Sequence, residues 1–143
     1  METGFHAGEP TFALDALLVE DDDLDARILT AYADMNADRP IRFTRARTVA
    51  EALRLSGGGR YDLYFVDFNL GERSTLRLLA TLEHAGARPV VISSISLNEA
   101  ELYRLTTGRL RFLAKGDICA ASLHALADEA LRDREIFARG QAS

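Results

Sequence analysis

Asp62-Leu63-Tyr64-Phe65-Val66-Asp67-Phe68-Asn69-Leu70 runs four apolar residues, aromatic and β-branched among them, into an acid. A continuous apolar run of this length predicts a strand over 63–68 that is covered on both faces, as in a parallel sheet. Asp67 then stands at the strand's end. Burial alone explains an acid there poorly, because a carboxylate removed from water needs a partner.

Toward the N-terminus, Val49, Ala50 and Leu53 mark a helix that stops at Gly57-Gly58-Gly59, and Ile41–Thr44 reads as a strand. Before these, the apolar run Leu14–Val19 leads directly into Glu20, Asp21, Asp22, Asp23 and Asp25. Leu24, Ile28, Ala31 and Met35 follow at helical spacing, with Asp22 placed to cap the helix and Asp25 three residues on, a weak capping box.

Toward the C-terminus, Leu76, Leu79 and Leu82 predict a helix ending near Gly86, and Pro89–Ile92 a strand ending in Ser93-Ser94. Ala100, Leu102 and Leu105 suggest a helix up to Gly108, with the weakest period in the chain. Leu110–Ala114 is a last strand ending at Lys115, and Leu123, Leu126, Ala127, Ala130 and Phe137 outline a last helix. Five βα units with short connections predict an α/β fold, a doubly wound five-stranded parallel sheet with helices on both faces.

The chain of 143 residues, 48% hydrophobic, suits one domain. Residues 1–12 read as a leader, 13–139 as the domain and 140–143 as a tail, with no output domain expected. A net charge of −5 and a pI near 5.2 supply no general grip on nucleic acid or an anionic membrane. One cysteine and no apolar stretch of about 18 residues or signal peptide point to the cytoplasm. Sixteen of the 17 basic residues are arginine, and Lys115 is the only lysine.

In such a sheet the binding crevice lies at the C-terminal strand ends, where the winding reverses. Strand one delivers Glu20 and Asp21 there, strand three Asp67, strand four Ser93 or Ser94, and strand five Lys115. Three carboxylates close together repel, and a hard divalent cation such as Mg²⁺ relieves that repulsion. If Asp67 attacks a phosphoryl group, Mg²⁺, the ammonium and the hydroxyl can stabilise the charge on the transferring oxygens.

These segments together resemble the response-regulator receiver family: Leu17-Leu18-Val19-Glu20-Asp21-Asp22, the stretch from Asp62 to Leu70, Val90-Val91-Ile92-Ser93-Ser94 and Phe112-Leu113-Ala114-Lys115. The resemblance covers residues 14 to about 138 and implies a CheY-like, flavodoxin-like (βα)₅ fold. It implies Asp67 as phosphoacceptor, Glu20, Asp21, Asp67 and the Asn69 backbone carbonyl as Mg²⁺ ligands, Lys115 as partner of Asp67 or its phosphoryl group, and Phe112 as the aromatic switch. For the strand-four hydroxyl, counting from Pro89 points to Ser94, whereas a small residue just after the hydroxyl points to Ser93, which is favoured.

The implied function is a single-domain regulator of a two-component phosphorelay. A histidine kinase or histidine phosphotransfer protein would donate the phosphoryl group, and a downstream protein, a homodimer or onward relay would carry the output. Leu24 and Ile28 are expected partner contacts. The chain would be a signalling phosphoacceptor rather than an enzyme, at most phosphorylating itself and losing the phosphate again. Competing readings are a degenerate receiver that binds proteins without phosphate and an aspartate-dependent phosphatase, although the latter usually wants an acid where Asn69 stands.

Two features depart from the family: Gly116 replaces the usual proline after the lysine, and the loop Leu70–Ser74 is short. Gly57-Gly58-Gly59 lacks the setting of a phosphate cradle and reads as a linker, while Cys119, His6, His84 and His124 form no metal or nucleophile pattern.

Overall fold

The computed structural model describes residues 13–58, 61–70, 72–94 and 110–142. Along the chain lie β1 (Leu14–Val19), α1 (Asp23–Asp34), β2 (Ile41–Ala46), α2 (Val49–Gly57), β3 (Leu63–Asp67), α3 (Glu72–His84), β4 (Val90–Ser93), β5 (Arg111–Ala114) and α4 (Ala120–Ala142). The five strands form one parallel sheet in the order β2-β1-β3-β4-β5. After β1 the chain moves outward to β2, then returns past β1 to β3 and winds the other way. The reversal places the crevice at the C-terminal ends of β1 and β3.

The burial pattern follows from this order. The inner strands β1 and β3 are almost wholly buried, whereas β2, at an edge, alternates: Arg42 and Thr44 face solvent, and Ile41 and Phe43 lean on the core. On one face of the sheet Leu14, Leu18, Phe65 and Ile92 pack with Leu29 of α1 and Leu123 of α4. On the other, Leu17, Val66 and Val91 pack with Ala52 of α2 and Leu78 and Leu82 of α3. Residues one apart on a strand therefore serve opposite cores.

Local chemistry sets the helix ends. Asp22 caps α1 by accepting from the Asp25 N–H at 2.8 Å, and Thr48 caps α2 by accepting from the Glu51 N–H at 3.1 Å. Gly86 closes α3 with φ +93°, a backbone conformation that an L side chain strains to adopt.

β2 runs two residues past the expected Ile41–Thr44, pairing Arg45 with Leu18 and Ala46 with Val19. Arg45 interrupts the apolar pattern, but its guanidinium reaches the Glu20 carbonyl through Nε and Asp23 through NH1, so its charge is paired at the sheet edge although NH2 is buried without a hydrogen-bond partner among the described residues. α4 continues through residues 140–142, which the sequence pattern assigns to a tail. The leader and the helix expected from Ala100, Leu102 and Leu105 lie outside the described residues. Among those described, no helix is long and apolar enough to cross a membrane.

Candidate functional site

Glu20 follows β1 directly, and its N–H donates to the Ala46 carbonyl at 2.9 Å, extending the ladder by one bond. Asp67 is the last residue of β3, and Lys115 opens a 3-10 turn (Lys115–Asp117) just past β5. The sheet register brings these strand ends together from residues up to 95 positions apart. Glu20 and Asp67 are each only 2% exposed, which is rare for carboxylates without partners.

Their shared partner is Lys115, whose Nζ lies 3.0 Å from Glu20 Oε1 and 3.4 Å from Asp67 Oδ2. The other oxygens are bonded to backbone: Asp67 Oδ1 accepts from the Asn69 N–H at 3.0 Å and Glu20 Oε2 from the Asp22 N–H at 3.2 Å. Asp21 is exposed at the rim, and one carboxylate oxygen from each of Glu20, Asp21 and Asp67 lies within 4.8 Å of the other two.

More negative charge collects here than one ammonium can neutralise. Burial, then hydrogen bonding with Asp67, pushes the Glu20 carboxyl up to about 7, against the opposing pull of Lys115. Burial also works against the Lys115 charge, but the hydrogen bonds to Asp25 and Glu20 outweigh it and hold the ammonium protonated above the usual lysine range. Compact oxygen donors with unrelieved repulsion match the preference of a hard divalent cation, so the donor set fits Mg²⁺.

Of the remaining sequence-derived residues, Asn69 contacts Asp67 and links it to Ser94, whereas Ser93 and Phe112 lie within β4 and β5. Asn69 sits in the 3-10 turn Phe68–Leu70 that follows Asp67, and its side-chain amide donates to Ser94 Oγ at 3.0 Å. Ser94 is exposed just past β4, whereas Ser93 is buried within the strand, opposite Ala114. Phe112 is half-buried on β5 opposite Val91 and packs against the core shared with α2 and α3. Asp22 acts as the α1 cap, as its position suggested.

Two residues outside the sequence-derived site reach it. Asp25, read from sequence only as part of a capping box, lies 2.6 Å from Lys115 Nζ. Its place in the first helical turn after the strand-one acids was the available signal, but its direction depended on where β5 ends. Arg45 donates from Nε to the Glu20 carbonyl at 2.9 Å and from NH1 to Asp23 Oδ1 at 2.8 Å, tying the sheet edge to the strand that carries Glu20.

No protein-family model and no curated protein matches the sequence. Solved structures do match: the receiver domain of a Francisella response regulator superposes with a TM-score of 0.65 at 21% identity, covering 81% of this chain and 98% of that one. A CheY-like receiver domain from Methylobacillus flagellatus gives 0.64 at 22% identity, with 82% and 98% covered. The chain has the receiver fold. A putative response regulator from Chloroflexus aurantiacus, 18% identical, gives a TM-score of 0.69 over 84% of this chain and 98% of the other. The receiver fold thus accounts for the parallel sheet and its strand order, and the acid pocket occupies the sheet's switch point.

Proposed function

We propose that this receiver-fold chain is a response regulator of a two-component system that accepts a phosphoryl group on Asp67. The observation that carries the reading is the meeting of two buried acids, Glu20 and Asp67, with the chain's sole lysine and the exposed Asp21. A buried cluster with excess negative charge opposes stability, and a phosphoryl-transfer site is an arrangement in which it has a use.

In this reading an Asp67 carboxylate oxygen attacks the phosphorus of a phosphohistidine on a histidine kinase or histidine phosphotransfer protein. The new O–P bond forms as the P–N bond breaks, leaving an acyl phosphate on Asp67 and returning the electron pair to the imidazole. Glu20, Asp21, Asp67 and the Asn69 carbonyl would hold Mg²⁺, which when bound neutralises charge on the phosphoryl oxygens. Lys115 holds a positive charge beside the oxygen that reacts. The Asn69 N–H fixes the orientation of the carboxylate through its other oxygen.

Ser94, already bonded to the Asn69 amide at the rim, is the better placed of the two serines to meet a phosphoryl oxygen, and Phe112 would follow its movement. The output is a change of shape read by a downstream protein, and the chain acts as a phosphoacceptor rather than a turnover enzyme. Leu24 and Ile28, respectively 63% and 41% exposed on α1 beside the pocket, supply the apolar contact for the phosphodonor. A single cysteine, free and exposed, is consistent with work in the reducing cytoplasm.

The test is intact mass after incubation with Mg²⁺ and acetyl phosphate, for the wild type and Asp67→Asn. One added phosphoryl group, lost in the variant, is the expected result. No adduct in either protein would leave a module that binds partners without phosphate, and sustained acetyl phosphate turnover without an adduct would indicate a hydrolase.

A further inference from the structure

The closest contact of the Lys115 ammonium is with neither Glu20 nor the reacting acid. Nζ stands 2.6 Å from Asp25 Oδ2, 3.0 Å from Glu20 Oε1 and 3.4 Å from Asp67 Oδ2. An ammonium is a point charge with three donors, and here all three acids draw on it at once. Among the described residues Lys115 is also the sole ion-pair partner of Asp25, because the neighbouring Arg45 and Arg47 both serve Asp23.

Asp25 is held where it is. It lies in the first turn of α1, its N–H is capped by Asp22 at 2.8 Å, and the next residue, Ala26, is buried in the core with Leu29. The Asp25 side chain is 36% exposed against 3% for Asp67, so it draws the ammonium toward the pocket mouth and away from the buried acid.

We infer that Asp25 is a positioning residue that competes with Asp67 and its phosphoryl group for the Lys115 ammonium, and so restrains phosphorylation of the pocket. The inference rests on the phosphoacceptor reading of Asp67. An acyl phosphate with its three outer oxygens carries more negative charge than the carboxylate it replaces, so the ammonium gains by moving inward as the transfer proceeds. Asp25, fixed to the capped helix, cannot follow, and its short contact is lost. The contact is partly open to solvent, which limits the restraint to the scale of one rim ion pair.

The experiment compares initial rates of labelling by acetyl phosphate with Mg²⁺, read by intact mass, in wild type, Asp25→Asn, Asp25→Glu and Lys115→Gln, and in the Asp25→Asn/Lys115→Gln double variant. Asp25→Asn should label about three- to fivefold faster than wild type, the effect of releasing one such pair. Asp25→Glu, which keeps the competing charge, should stay near wild type, and Asp25→Asn should bring no gain once Lys115 is glutamine. A labelled wild type with an unchanged or slower Asp25→Asn would overturn the competition. An equal gain in the Lys115→Gln background would also overturn it, showing that Asp25 acts on the donor or the metal through its field. A wild type that never takes phosphate would instead overturn the phosphoacceptor reading, and this inference with it.

Discussion

At the β2 edge, Arg42 forks onto Asp15 with contacts of 3.0 and 3.2 Å, and Arg47 reaches Asp23 at 2.7 Å. In the pocket, Lys115 reaches Glu20 and Asp67 at similar or longer distances. The difference lies in the surroundings: the Arg42 side chain is 60% exposed, whereas those of Glu20 and Asp67 are 3% exposed. Water screens the edge pairs, and planar guanidinium groups suit their carboxylates. In the pocket one ammonium serves several acids away from water, so removing it leaves buried carboxylates that must stay charged without that partner or take up a proton. Similar distances thus describe a solvent-screened pair in one place and a buried, charge-crowded cluster in the other.

The largest expected break in this contrast is Lys115→Met. At pH 8 it should destabilise the protein by about 3 kcal/mol in urea unfolding, because it strands buried carboxylates. A cost as small as that of an edge variant would mean that the pocket is as well solvated as the surface. Next comes Arg45→Lys, at the junction of the two regions, with an expected loss of about 1 kcal/mol as the bond to the Glu20 carbonyl weakens. Thermal unfolding of the pair of proteins would measure it.

The pocket should also respond to pH where the edge does not. Because the folded protein binds a proton on Glu20 up to about pH 7 and an unfolded glutamate releases it near 4.5, the folded state holds the extra proton between those values. This contribution to stability is therefore complete at low pH and fades as pH rises through that window. Glu20→Gln should flatten that part of the stability curve. A metal bound at the acids must displace the same proton, so Mg²⁺ affinity, followed by calorimetry, should rise with pH until about 7 and level off above it. The smallest effect belongs to Arg42→Ala, within about 0.5 kcal/mol of wild type in the same urea assay.

Much of this organisation is written locally. Apolar runs closed by Glu20-Asp21, Asp67 and Lys115 are visible as strings of residues, because a strand buried on both faces has no polar alternation to hide the acid at its end. Arg45 masked the last part of β2, since a charged residue in a strand looks like an interruption until its partners are known. The serines were ambiguous for a related reason. Adjacent residues on a strand point to opposite faces, and a count along the chain does not locate the strand's last paired residue.

The sequence by itself determined the alternation of strands and helices and the acids and lysine carried to the strand ends, since these follow from apolar period, capping and residue type within short windows. Only the tertiary structure decided that the lysine's shortest contact is Asp25, 90 residues away, and that the Asn69 amide meets Ser94. Both outcomes depend on where β4 and β5 stop against their neighbours, and strand ends are set by pairing between distant segments that no local pattern encodes.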